Sequence, residues 1–247
     1  MDLGLTGKVF IVSGGSRGLG LAGARALVEE GAHVVVSGRD DDAVQAAAGQ
    51  LGAVGIAADQ ADPATPGRLV AAAQQAYGRL DGALVSVGGP PPGGAFALSD
   101  RQWQSAFDSI FLGTVRLCRE VVAALPEQGG ALALVLSTSV KAPIAGLAAS
   151  NGLRPGLAML AKTMADELGP RGIRVNGLLP GRIATDRLRS LDSGVPDART
   201  AVAAGIPLRR DGEPVEFGRV AAFLLSPAAS YVSGAMVPVD GGSLRAL

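Results

Sequence analysis

Short apolar runs rich in β-branched residues alternate with longer stretches of helical periodicity along almost the whole chain. Runs at 8–13, 32–37, 54–58, 82–87, 131–137, 173–179 and 235–239 read as strands, and 19–30, 41–51, 64–77, 100–125, 156–168 and 213–225 as helices. Strands apolar on both faces and separated by amphipathic helices pair in parallel, because each crossover lays a helix over one face of the sheet. The expected fold is α/β, a doubly wound parallel sheet with helices on both faces. No linker or repeat divides residues 1–247, so one domain is expected. Only 187–209 lacks clear periodicity, as a flap over a site would.

Composition excludes several classes. Hydrophobic residues make up 48% and charged residues 18%, which rules out disorder. Lys+Arg 22 against Asp+Glu 22 gives no basic excess for a nucleic acid. One cysteine, Cys118, excludes a disulfide framework, and the one histidine, His33, lies in an apolar run as a strand-edge residue, so no metal is expected. No apolar run reaches the roughly 18 residues of a membrane span. The first four residues lack the basic-then-apolar pattern of a signal peptide, so a soluble cytoplasmic protein is expected. Glycine, at 36 residues, is in excess and dispersed, which signals tight turns and close backbone approach.

The most informative glycines lie between the first strand and helix, in Ser13-Gly14-Gly15-Ser16-Arg17-Gly18-Leu19-Gly20. Backbone N–H groups and the helix dipole at such a turn hold a pyrophosphate. Gly14 permits the sharp turn, Gly18 lets phosphates approach, and Gly20 lets the helix pack close, while Ser16, Arg17 and Leu19 complete the cradle. The bland alternative is a tight βα turn with no ligand. In context the turn marks a Rossmann-type, dinucleotide-binding domain. The second strand ends in Ser37-Gly38-Arg39-Asp40, where an acid would accept from a ribose 2′-OH and an arginine would fit a 2′-phosphate. Gly38 at the acid position, with Arg39 and Arg17 beside it, favours NADP (NADPH) over NAD. Asp40, two residues on, is the competing ribose acid.

These residues resemble the short-chain dehydrogenase/reductase family, nearest in general look to the 3-oxoacyl-carrier-protein reductases, over nearly the whole chain. The run 171–181 with its Pro180-Gly181 turn and the tail from Ser233-Gly234 to Asp240-Gly241-Gly242 carry the same likeness. The resemblance implies that Asp59 contacts adenine, that Gly88 lies beside the cofactor, that Pro180 and Gly181 form the cofactor turn, and that Ile183 and Thr185 hold the nicotinamide carboxamide. It further implies a dimer or tetramer built through 100–125, 156–168 and the last strand, and a small-molecule substrate covered by the flap.

The catalytic part departs from the family pattern of Asn, Ser, Tyr and Lys, with Tyr and Lys four apart. Counting back from Asn176 puts Ser150 at the Tyr position and Arg154 at the Lys position, while Ile110 falls at the Asn position. The family serine is Ser139 or Ser137: the preceding strand favours the first and the distance to the Tyr site the second. Both tyrosines, Tyr77 and Tyr231, lie in segments remote from this helix. An alkyl hydroxyl cannot be tuned as a phenol can, and an arginine binds and polarises without relaying protons. Pro155 directs the helix either to start near it or to kink there. Lys141, two residues past Ser139, is a substitute acid or a plain loop lysine. Pro90-Pro91-Pro92 either shapes the entrance or only stiffens its loop, and Trp103 fits the helix stripe as core or interface.

Three functions follow. The first is an NADPH-dependent oxidoreductase acting on a carbonyl or imine with a Ser/Arg site in place of Tyr/Lys. The second is a catalytically degenerate dinucleotide-binding or regulatory protein. The third is a cofactor-independent, non-redox enzyme on the same scaffold.

Overall fold

A computed structural model describes residues 2–127, 129–192 and 203–246. Seven strands form one parallel sheet: β1 (Val9–Val12), β2 (His33–Gly38), β3 (Val54–Ala57), β4 (Gly82–Val85), β5 (Gly130–Val135), β6 (Ile173–Pro180) and β7 (Met236–Val239). Their spatial order is 3-2-1-4-5-6-7, reversing direction between β1 and β4, as a doubly wound fold requires. Helices whose bounds lie among the described residues include α1 (Gly18–Glu29), α2 (Asp41–Leu51), α3 (Thr65–Tyr77), α4 (Asp100–Ala106), α5 (Gly113–Ala124), α6 (Ala148–Leu168), α7 (Asp186–Asp192) and α8 (Pro214–Leu225). None of them is long and apolar enough to cross a membrane.

Strand alternation builds two cores. Val9 and Ile11 face one side with Leu69 of α3, Leu117 and Val121 of α5 and Leu157 and Ala161 of α6. Phe10 and Val12 face the other with Leu27 of α1, Val36 and Phe217 and Ala221 of α8. Burial pushes the Cys118 thiol up to about 12, as suits a residue that only packs.

Three expectations are corrected. The stretch 100–125 is not one regular helix: a π turn at Phe107–Leu112 separates α4 from α5. Within it the Ser109 hydroxyl donates to the Ser105 carbonyl at 2.8 Å, the back-bonding that loosens a helix, while Ile110 stays in the core. Helix α6 starts at Ala148, eight residues before the expected 156, and contains Pro155 within it. A proline there removes the N–H that would bond the Asn151 carbonyl and costs about 3 kcal/mol. Tertiary anchors in the turn before the proline hold it: the Asn151 side chain clamps both backbone groups of Ile144 (3.0 and 2.8 Å), and the Arg154 guanidinium grips the Val135 carbonyl. Finally, the flap at 187–209 opens with regular helix, since α7 reaches Asp192; residues 193–202 lie outside the described residues.

At the amino edge of the sheet, Asp81 accepts from the Val9 N–H (2.9 Å) and from Arg79 at two points (2.9 and 2.7 Å), with Lys8 at 3.5 Å. Burial opposes its ionisation, but the Arg79 bonds, the Val9 N–H and both cations outweigh that and hold its carboxyl below the usual carboxylate range. A folded-state pKa below the unfolded value stabilises the fold fully above the unfolded pKa, about 4, and loses that contribution as pH falls through the folded one. Asp81→Asn is expected to cost about 1–3 kcal/mol at pH 7 and to flatten the acid limb of the stability curve. Urea denaturation of both proteins at pH 7 and pH 3 checks it.

Candidate active site

The carboxyl ends of β1, β4, β5 and β6 converge around the glycine turn. Ser13 closes β1: its hydroxyl donates to the Ser86 carbonyl (2.9 Å) and accepts from the Ser86 N–H (3.0 Å), tying the turn to the end of β4. Gly14 has φ +58, and a Cβ there would stand 2.6 Å from the Ser86 carbonyl. A Cβ on Gly20 would lie 2.1 Å from the Gly14 carbonyl. Gly20 thus lets α1 close on the turn itself, a tighter approach than the expected packing on the strand. Gly18 also has positive φ, and a Cβ there would only touch the Thr185 side chain at an ordinary 3.8 Å, so its backbone conformation rather than a clash calls for glycine.

Helix α1 begins without a side-chain cap and without an acid in its first turn. The N–H groups that open a helix have no intrahelical partner and bond an anion readily. Together with the glycines of the turn, they fit a dinucleotide pyrophosphate. Leu19 lies at the same helix start, half-buried against the core.

At the end of β2, a Cβ on Gly38 would meet the Ser16 hydroxyl at 2.8 Å, so this position admits no acid while Ser16 keeps its place. Arg17 and Arg39 are both exposed beside it. Asp40, the competing ribose acid, is the N-cap of α2, where its carboxylate accepts from the Ala43 N–H at 3.2 Å. Asp59 is exposed after β3, its carboxylate bonded to the Ala61 N–H. After β6, Gly181 leaves room for Asp240, whose Cβ would be 2.6 Å from a Cβ at 181. Ile183 is buried, and the Thr185 hydroxyl accepts from the Leu188 N–H at 3.4 Å, starting α7.

Beyond β5 the structure brings Ser139, Ser150 and Arg154 together. The Ser139 and Ser150 hydroxyls are 3.1 Å apart and buried. Ser137 instead accepts from the Ser139 N–H and shapes that turn. Arg154, one helical turn after Ser150, donates to the Val135 carbonyl at 2.7 Å. Its pKa is pushed down to about 10, first by burial and then by the charge of Arg187, so it stays protonated at neutral pH. Lys141 is exposed, unlike these three. The Pro-rich loop is zipped to the start of α6 by Gly93 N–H to Gly146 (2.7 Å) and Ala148 N–H to Gly93 (3.1 Å). No phenol sits at this edge: Tyr77 stacks on His33 at the start of β2, and the exposed Tyr231 adjoins Val232, whose carbonyl bonds Arg174 and Asn176 near the start of β6.

Two residues escape the sequence reading. Arg187 reaches across the cleft to the carbonyls of Gly89 (3.3 Å) and Pro90 (2.9 Å). Arg182 ties the end of α7, through Asp192 (2.6 Å), to Asp211 ahead of α8 (2.9 Å). No local pattern marks either one; both act across long stretches of chain.

The family profile described as enoyl-(acyl carrier protein) reductase matches residues 14–243. The chain belongs to the short-chain dehydrogenase/reductase family. It is an oxidoreductase of that type. An uncharacterized oxidoreductase of Mycobacterium tuberculosis is 34% identical, over 96% of this chain and 92% of the relative. The L-rhamnose 1-dehydrogenase (NAD(P)(+)) of Azotobacter vinelandii is also 34% identical, over 96% of this chain and 97% of its own. The L-sorbose reductase of Gluconobacter frateurii, solved with NADPH and L-sorbose, superimposes with a TM-score of 0.93 at 30% identity, covering 100% of both chains.

Within this family member the two glycine environments are expected to respond differently to the same change. Gly20→Ala pushes backbone against backbone and should cost about 1–3 kcal/mol or more. Gly88→Ala, with nothing within 4 Å of the added Cβ, should stay within about 0.5 kcal/mol. Paired urea midpoints measure both.

Proposed function

We propose that the protein is an NADPH-dependent reductase of a small carbonyl or imine compound, with Ser139, Ser150 and Arg154 in place of the usual acid–base pair. The observation that carries this reading is the buried hydroxyl pair, 3.1 Å apart, with a cation one helical turn away at the cleft's carboxyl edge.

The uncapped start of α1 and the glycines of its turn would hold the pyrophosphate, and Arg17, Ser16 and Arg39 the 2′-phosphate. Three features support NADPH: the bare position 38, the two arginines beside it, and the commitment of Asp40 to capping α2. Asp59 would meet the adenine, with Gly88, Pro180, Gly181, Ile183 and Thr185 along the nicotinamide half. When bound, the nicotinamide supplies the hydride that turns a carbonyl carbon into a carbinol carbon.

Ser139 and Ser150 hydrogen-bond the acceptor oxygen, and the field of Arg154 favours the negative charge that grows there. Arg154 holds its proton throughout, so the proton that completes the alcohol comes from solvent through the hydroxyl pair. An iminium acceptor needs no such proton. Lys141 has no part in this scheme. A dimer or tetramer through α5, α6 and β7 belongs to the same proposal, and the exposed Phe107 and Met159 on that side support it.

Equilibrium titration tests the cofactor assignment. Wild type is expected to bind NADPH more tightly than NADH, and Arg39→Ala to lose about ten- to a hundredfold in NADPH affinity with NADH unchanged. Equal losses for both cofactors would refute the 2′-phosphate site. Ser139→Ala and Ser150→Ala are expected to lower kcat by about 10²–10³ toward a ketone, with little change in NADPH affinity.

A further inference from the structure

We propose that Arg182 is a positioning residue that sets the nicotinamide end of the cleft, by clasping Asp192 at the end of α7 and Asp211 ahead of α8; this rests on the reductase reading above. Its guanidinium gives all three nitrogens to carboxylates. Nη1 and Nη2 fork onto Asp192 at 3.1 and 2.6 Å, and Nε donates to Asp211 at 2.9 Å. A two-pronged arginine–carboxylate contact fixes direction as well as distance.

The clasp is sheltered where neighbouring pairs are not. The Arg182 and Asp192 side chains are 21% and 22% exposed, and that of Asp211 is 4% exposed. Arg189 with Asp186 and Arg210 with Glu216 lie at the surface, each side chain 40% exposed or more. Surface pairs hold little. A sheltered pair adds little net stability either, because desolvation offsets the attraction, so what it supplies is geometry.

Helix α7 needs that geometry from outside itself. Among the described residues, none of its seven is buried. No apolar face seats it in the core, and so short a helix does not hold alone. Its placement rests on polar ties: Arg187 to the carbonyls of Gly89 and Pro90, and the fork on Asp192. The fork closes on the residue after Gly181, so the end of α7 is tied to the chain that leads into its start.

That lead-in is stitched down as well. The Gly212 N–H donates to the Arg182 carbonyl (2.9 Å) and the Ala184 N–H to the Gly212 carbonyl (2.8 Å). A Cβ on Gly212 would stand 2.7 Å from Cδ1 of Ile183. Arg182 thus braces both flanks of Ile183 and Thr185, the residues given above to the nicotinamide half. Arg39 and Asp59, given to the other half, follow β2 and β3, beyond β5, β4 and β1 from β6. Loosening the clasp therefore weakens the hold on the nicotinamide and spares the adenosine end.

Calorimetry tests this with NADPH and with 2′-phospho-ADP-ribose, the same dinucleotide without its nicotinamide. The proteins are wild type, Asp192→Asn, the double variant Arg182→Gln/Asp211→Asn, which leaves no orphaned carboxylate at the sheltered site, and Arg182→Lys. Asp192→Asn and the double variant are expected to lose about tenfold in NADPH affinity, with 2′-phospho-ADP-ribose changed less than about twofold. Arg182→Lys, which keeps a cation, should stay within about threefold of wild type for NADPH. Equal losses for both probes mean a general support of the fold and overturn the proposal. Unchanged NADPH affinity in Asp192→Asn and the double variant overturns it too, as does a loss in Arg182→Lys as large as in the double variant. In each of those cases NADPH binding by wild type leaves the reductase reading standing. Absence of NADPH binding in wild type removes that reading itself, and with it the site that Arg182 positions.

Discussion

Helix α1 comes so near the turn before it that a single methyl at Gly20 would collide with the Gly14 carbonyl. Much of the site depends on that approach. It sets the uncapped start of α1, with its unpartnered N–H groups, directly on the turn. It also lets α8 lie against α1, where a Cβ on Gly218 would meet the Ala22 carbonyl at 2.4 Å. The Ser13–Ser86 tie then sets the end of β4 beside the same turn. A phosphate cradle, a helix pair and the cleft wall thus share one constraint, the absence of a side chain where backbone meets backbone.

The second region is held together against local preference. Arg154 precedes a proline and carries a buried charge, both unfavourable, yet its bond to Val135 and the Asn151 clamp on Ile144 keep α6 helical through that point. Strain of this kind collects where a fold positions functional groups. The hydroxyl pair lies one turn before the proline, so the same anchors orient it. Arg187 reaches from α7 to the Pro90 carbonyl, and Arg182 ties Asp192 to Asp211.

Where local chemistry decides an element, the sequence reads well. Helix α2 is legible to the residue: Asp40 caps its start, and Gly52 ends it in the left-handed conformation with φ +63. The parallel sheet with helices on both faces follows from the alternation of strands and helices. The glycine turn is legible because only glycine satisfies its geometry. Helix α6 is not, since proline rules argue for a break that distant contacts override. The choice between Ser137 and Ser139 is equally closed to counting, because both fit some part of the spacing and only the fold brings Ser139 to Ser150.

The sequence by itself therefore determined the strands, the helices other than α6 and the broken 100–125 stretch, and the phosphate turn, all products of periodicity and of glycine's conformational freedom within short spans. The tertiary structure alone decided that Arg187 crosses the cleft, that Ser139 meets Ser150 and that Arg154 is buried without a carboxylate. Those outcomes depend on groups dozens of residues apart meeting at one edge of the sheet, and no local energy term along the chain records such meetings.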